Sequence, residues 1–153
     1  MTKSFQALEI TRASEIECGS WVKAPKVYLR DSGLLHALLE LADGDAVLGH
    51  PILGASWEGF VLEQLVGMLP EWQAHFYRTA SGAEIDLVLS RGRERIAVEA
   101  KASSAPVVSR GFYTAMADLG METGWVVAPV DEPYPLRERV MVAPVQYVVE
   151  VLR

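Results

Sequence analysis

Residues 76–103, FYRTASGAEIDLVLSRGRERIAVEAKAS, hold two alternating runs joined by a short polar turn. Ala83–Leu89 and Arg95–Lys101 have the length and period of strands, and Ser90–Arg93 supplies the turn between them. Alternation puts Glu84, Asp86 and Val88 on one face of the first strand, with Ile85, Leu87 and Leu89 on the other. In the second strand Ala97, Glu99 and Lys101 share a face opposite Ile96, Val98 and Ala100. A hairpin of this kind presents Asp86 beside Glu99 and Lys101. Parity permits that juxtaposition without fixing the register.

Just before it, Gln73–Thr79 is a further candidate strand, ended by a Ser81–Gly82 turn. Upstream, Trp57, Phe60, Val61, Leu65 and Met68 recur at helical spacing from about Gly54 or Ala55 until Pro70 stops the run. Asp31 is placed to cap an earlier helix carrying Leu34, Leu35, Leu38 and Leu41, and Gly44, Gly49 and Pro51 then make a loop. Before that helix, Lys26–Arg30 is a short extended run. Downstream, Phe112, Ala115, Met116 and Leu119 outline a third helix, and Trp125–Ala128 a buried strand. Pro129, Pro133 and Pro135 predict a loop, and Val140–Val142 and Val145–Val151 two closing strands. Helices between strands predict an α/β domain with a mixed sheet flanked by helices. Residues 1–24 are expected to be an N-terminal arm and linker, with Phe5–Arg12 a short strand or an arm that needs a neighbour, and residues 25–153 to be the domain.

The acids have a chemistry in common. Two carboxylates a few ångströms apart can hold Mg²⁺, which takes oxygen ligands and keeps several waters. Such an ion polarises a phosphoryl oxygen and lowers the pKa of an attacking water. A neighbouring lysine can steady the phosphate or orient the water. The plain alternative is a solvated hairpin whose Glu84, Asp86, Glu99 and Lys101 make ordinary salt bridges. Glu58 bears on the choice, because it lies in line with Leu62, Leu65 and Leu69 on a stripe that faces protein. A carboxylate there needs a pairing partner, a hydrogen bond or a metal, unless the helix N-terminus stabilises it. Glu63 falls off that stripe, toward solvent.

Composition narrows the classes. A chain of 153 residues that is 50% hydrophobic can bury a core and is not a disordered segment. The single Cys18 excludes an internal disulfide and fits a reducing, cytoplasmic setting. The N-terminus lacks the apolar core of a signal peptide, and no apolar run approaches the ~20 residues of a membrane span. A net charge of −6 argues against a general coat for nucleic acid, though not against a local basic path beside an acidic pocket. His36, His50 and His75 have no zinc spacing, and His36 reads as a surface residue. Lys23, Lys26 and Arg30 form a basic patch, for phosphate or simply for solvent, while Arg78 and Lys101 lie nearer the acids. Trp57, Phe60, Phe112 and Trp125 stand at packing positions.

Four blocks in order, KAPKVYLRDSGLLHALL, WEGFVLEQLV, FYRTASGAEIDLVL and IAVEAKAS, resemble the C-terminal nuclease-like domain of prokaryotic AAA-type ATPases, domain of unknown function 4143. The resemblance spans roughly residues 20–128 and implies a restriction-endonuclease-like fold of the PD-(D/E)xK superfamily. It places the helix acid at Glu58, the central acid at Asp86, and the paired acid and lysine at Glu99 and Lys101. It implies Mg²⁺ or Mn²⁺ held by Asp86, Glu99 and Glu58, DNA as a partner, and nuclease-like phosphodiester hydrolysis. The motor domain of that family is absent, and no G-x-x-x-x-G-K-[ST] loop occurs, so the chain itself is not expected to hydrolyse ATP. The competing expectation is a catalytically silent module that partners an ATPase subunit or self-associates through the N-terminal arm, with no membrane partner.

Overall fold

The structure, a computed structural model, describes residues 7–12 and 25–153. Strands β3 (Gln73–Arg78), β4 (Glu84–Arg91) and β5 (Glu94–Ala100) run antiparallel at the middle of one sheet, as the alternating runs predict. Helix α4 (Arg110–Asp118) then crosses over, so that β6 (Thr123–Val127) lies parallel to β5. Strand β8 (Val140–Ala143) pairs parallel with β6, and β7 (Tyr134–Arg137) closes that edge. On the other side β1 (Ala7–Arg12) lies parallel to β3 and carries β2 (Lys26–Leu29) as the opposite edge. Among the described residues the result is an α/β fold with an eight-stranded mixed sheet flanked by helices, consistent with a PD-(D/E)xK-like arrangement.

Each face buries its own core. Helix α3 (Leu53–Met68) contributes Val61, Leu62 and Leu65, and α5 (Val145–Leu152) contributes Val148 and Leu152. These pack on Leu87, Leu89, Val98 and Ala100. On the opposite face Phe112, Ala115 and Met116 of α4 cover Ile85, Val88, Ala97 and Val126. Each fully buried large aliphatic side chain contributes on the order of 2 kcal/mol, so both layers anchor the strands between them. None of the helices among the described residues is long and apolar enough to cross a membrane.

Four local expectations about elements are overturned. Val145–Val151 is not a strand but lies in α5, because Val145, Val148, Val149 and Leu152 make a buried helical stripe. Pro144, extended at the N-cap, starts the helix, and this burial outweighs the strand preference of β-branched residues. The proline-rich segment is not all loop, since β7 runs through Pro135 at the sheet edge, where a missing N–H is tolerated. The loop after the first helix contains a short helix, α2 (Gly44–Leu48), capped by the Asp43 carboxylate on the Ala46 N–H. The first helix itself, α1 (Ser32–Leu38), is capped by Asp31 on the Leu34 N–H at 3.0 Å, as expected, but ends before Leu41.

A β-bulge decides where the acids point. His75 pairs with Val88 and Tyr77 with Ile85, so two residue steps on β3 oppose three on β4. Ile85 and Val88 consequently face α4, while Leu87 and Leu89 face α3. The strict alternation that grouped Asp86 with Val88, and Ile85 with Leu87, therefore fails at Asp86–Leu87.

The β3–β4 turn also leans on α4. A Cβ on Gly111 would run into the carbonyl oxygen of Gly82, which sits at φ +88°. Both are backbone, so neither can yield cheaply. Gly111→Ala should lose about 1–3 kcal/mol, read as a lower urea midpoint with an unchanged m-value.

Candidate functional site

The acids converge on a lysine. The Lys26 ammonium on edge strand β2 lies 3.1 Å from Glu58 Oε1, 3.1 Å from Glu84 Oε1 and 3.3 Å from Asp86 Oδ1. Its three protons thus meet three carboxylates from α3 and β4. The Phe76 ring lies 5.8 Å from the same ammonium. Tyr28, two residues on and therefore on the same side of β2, donates its phenolic O–H to Glu58 Oε1. Arg78 pairs with Glu84 at 2.7 Å from the outer side.

Asp86 does a second task. Backbone pairing of β4 with β5 ends at Leu87 and Val98, and beyond it the Asp86 Oδ2 accepts the Ala100 N–H at 3.1 Å. The side chain replaces the ladder bond that the bulge removes. On β5, Val98 and Ala100 enter the α3-side core and Ala97 the α4-side core, so Glu99 carries the parity of Ala97. Its Oε1 pairs with Lys101 at 2.7 Å. Its Oε2 is buried and, among the described residues, has no hydrogen-bond partner.

The four expected residues therefore lie as two pairs: Glu58 and Asp86 at Lys26, and Glu99 with Lys101. The pairs sense each other. Burial, and next the Glu58 charge, push Asp86 above the ordinary carboxylate range, with Lys26 and the Ala100 amide opposing. Glu99 is pushed up to about 7, by burial first and by Asp86 second, against the pull of Lys101. Burial works against the charge on Lys26, but Asp86 and Glu58 outweigh it and raise its pKa. Lys101 is likewise raised despite burial, chiefly by Glu99, then Asp86 and Glu58. Glu84 is lowered against its burial by Arg78 and Lys26. Asp86 and Glu99 are a crowded acidic pair that favours cation or proton uptake.

Local pattern gives Lys26 no mark of its place among the acids. This lysine is neither a solvated patch nor a surface phosphate contact, since its side chain is only 15% exposed. The signal lay in KVYL, where Lys26 and Tyr28 point inward and Val27 is 62% exposed. Glu58 on an apolar stripe required a partner, and these two supply it. Glu63 lies off the apolar stripe, half-buried, in a close surface ion pair with Arg30 at 2.6 Å. His36 is not a plain surface residue, because its Nε2 lies 2.7 Å from the buried Ser56 Oγ. Lys23 and Cys18 lie outside the described residues.

The donor set suits a hard cation in part. Asp86 and Glu99 offer carboxylate oxygens, one of them buried and unpartnered. Glu58 Oε1 is already engaged by Lys26 and Tyr28. Among the described residues, no three His, Cys, Asp or Glu side chains group as a metal site requires. Glu58, Glu84 and Asp86 stand 3.1–3.3 Å from the Lys26 ammonium, whereas Mg²⁺ draws oxygens to ~2.0–2.1 Å.

An uncharacterized protein of Mycobacterium tuberculosis, Rv2008c, is 40% identical over 122 residues. An uncharacterized protein of Mycobacterium bovis, Mb2031c, matches to the same degree. Each alignment covers 80% of this chain, which spans 28% of the length of these relatives. Among solved structures, a chain of the Thermococcus gammatolerans assembly of McrB AAA+ hexamers with bound McrC is 16% identical, at a TM-score of 0.44. That alignment covers 59% of this chain and 27% of the other. Residues 53–148, which run from the start of α3 into α5, match the family described as "Domain of unknown function (DUF4143)". The chain belongs to the DUF4143 family.

Proposed function

We propose that this domain is a Mg²⁺- or Mn²⁺-dependent phosphodiester hydrolase of the PD-(D/E)xK kind, acting on DNA in the cytoplasm. The observation that carries the reading is Glu99, a buried carboxylate with one oxygen lacking a partner among the described residues, beside a second buried acid, Asp86. Asp86 and Glu99 would hold the ion, and Glu58 would complete or orient its shell. The ion supplies Lewis-acid polarisation of the phosphate and acidification of water. Lys101, paired with Glu99 and 33% exposed, would steady the scissile phosphate or the water. Asp86, fixed to the Ala100 amide, keeps its second oxygen oriented.

The second reading is a silent module that partners an AAA-type ATPase subunit. It is favoured by the same cage, because Glu58, Glu84 and Asp86 already share an internal cation. Calorimetry with Mn²⁺, beside cleavage assays on linear, nicked and branched DNA, separates the two. The expected result is binding with cleavage of at least one DNA form. Metal binding without cleavage of any form leaves the module. Absence of metal binding at millimolar concentration, with and without DNA, removes the catalytic reading.

A further inference from the structure

The contacts around Lys26 describe a filled cation position. Its ammonium has three protons and three carboxylate partners, contributed by α3 and β4. Those partners include Asp86, one of the two acids proposed to hold a divalent ion, and Glu58, which would complete its shell. An ammonium and a divalent ion cannot occupy the same point, and their charges repel at any neighbouring one. We propose that Lys26 is a tethered counter-ion that closes the Glu58–Asp86 position, so that a divalent ion engages Glu58 only when Lys26 withdraws. The inference rests on reading Asp86 and Glu99 as the ion-holding pair.

The way Lys26 is mounted makes withdrawal feasible. It sits on an edge strand whose neighbour in the sheet is β1. β1 in turn joins β3 through the Thr11–His75 and Arg12–Phe76 pairings. The inward side of β2 is held by polar hooks, Lys26 in the cage and Tyr28 on Glu58. Tyr28 also rests against Gly59, where an added Cβ would stand 3.4 Å from the ring. The same strand therefore places both groups that engage Glu58 Oε1. Its displacement frees the carboxylate in one movement.

Competition gives the test its sign. Lys26→Gln keeps length and hydrogen-bonding capacity but removes the charge. Mn²⁺ calorimetry on this variant should show affinity at least about tenfold above wild type, about 1.4 kcal/mol. Adding Glu58→Gln to Lys26→Gln should abolish the gain. Affinity equal to or weaker than wild type would overturn the proposal. If Lys26→Gln does not fold, the wild type answers the question through its ¹⁵N-labelled lysines, of which the chain has four. Mg²⁺ saturation should release the Lys26 ammonium, seen as a shifted and rapidly exchanging resonance. A Lys26 resonance unmoved in Mg²⁺-saturated protein would equally overturn it. Failure of the underlying reading looks different, since Asp86→Asn would then leave Mn²⁺ affinity unchanged in both Lys26 backgrounds.

Discussion

Asp86→Asn is expected to lower metal-dependent phosphodiester cleavage by at least about a hundredfold and to weaken Mn²⁺ binding, while the fold persists. Asparagine has nearly the same volume and keeps a carbonyl oxygen to accept the Ala100 N–H, now at 3.1 Å from Asp86 Oδ2. The bulged end of β4 therefore stays tied to β5. Lys26 loses one anionic partner but retains Glu58 and Glu84, both at 3.1 Å. What disappears is the charge at the junction between the Lys26 cage and Glu99. Because burial and Glu58 already disfavour that charge, its removal should cost little stability. The measurement is a pair of titrations, Mn²⁺ calorimetry and single-turnover cleavage, with thermal unfolding as the control for folding. A variant that folds and cleaves at the wild-type rate would refute the role given to Asp86.

Glu99→Gln should change the pH dependence of stability rather than simply its level. Glu99 titrates near 7 in the fold, against an ordinary value of 4.5. A folded pKa above the unfolded one means that the native state binds the proton more tightly. That contribution is fully present below about pH 4.5 and is lost as pH rises through 7. With chelator present, the wild type should therefore lose stability between pH 5 and 8 relative to Glu99→Gln, which mimics the protonated acid throughout. The shift corresponds to about 3 kcal/mol, or roughly 6–12 °C in melting temperature. Glu84, lowered by Arg78 and Lys26, has the opposite slope at lower pH, so the difference between wild type and variant isolates Glu99. Parallel melting curves for the two proteins across this range would show that Glu99 is not strained as described.

Much of the architecture was readable because the decisive segments have one strong period each. β3, β4 and β5 alternate, and α3 and α4 repeat at helical spacing, so their existence and order follow from burial on two sheet faces. α5 escaped because Val145, Val148 and Val149 favour strands locally, and only their packing against the α3 side shows a helix. The bulge escaped because alternation carries no mark of an extra residue. Among the site residues, Glu58 stood out as a charge on an apolar stripe, but its partner could not be named. Lys26 lies 32 residues away, and a lysine on a four-residue strand looks like solvent-facing decoration until the fold turns it inward.

The bulge has one further consequence. If Asp86 is struck from the strand, Glu84, Ile85, Leu87, Val88 and Leu89 alternate between the α3 and α4 faces without a break. The hydrophobic frame of β4 is thus complete without this residue. Asp86 behaves as an insertion that lengthens one strand by a single step, keeps the downstream frame in phase, and adds an anion where the frame itself asks for nothing. Selection on the carboxylate and selection on the core could then proceed almost independently within the same eight residues, Glu84–Arg91.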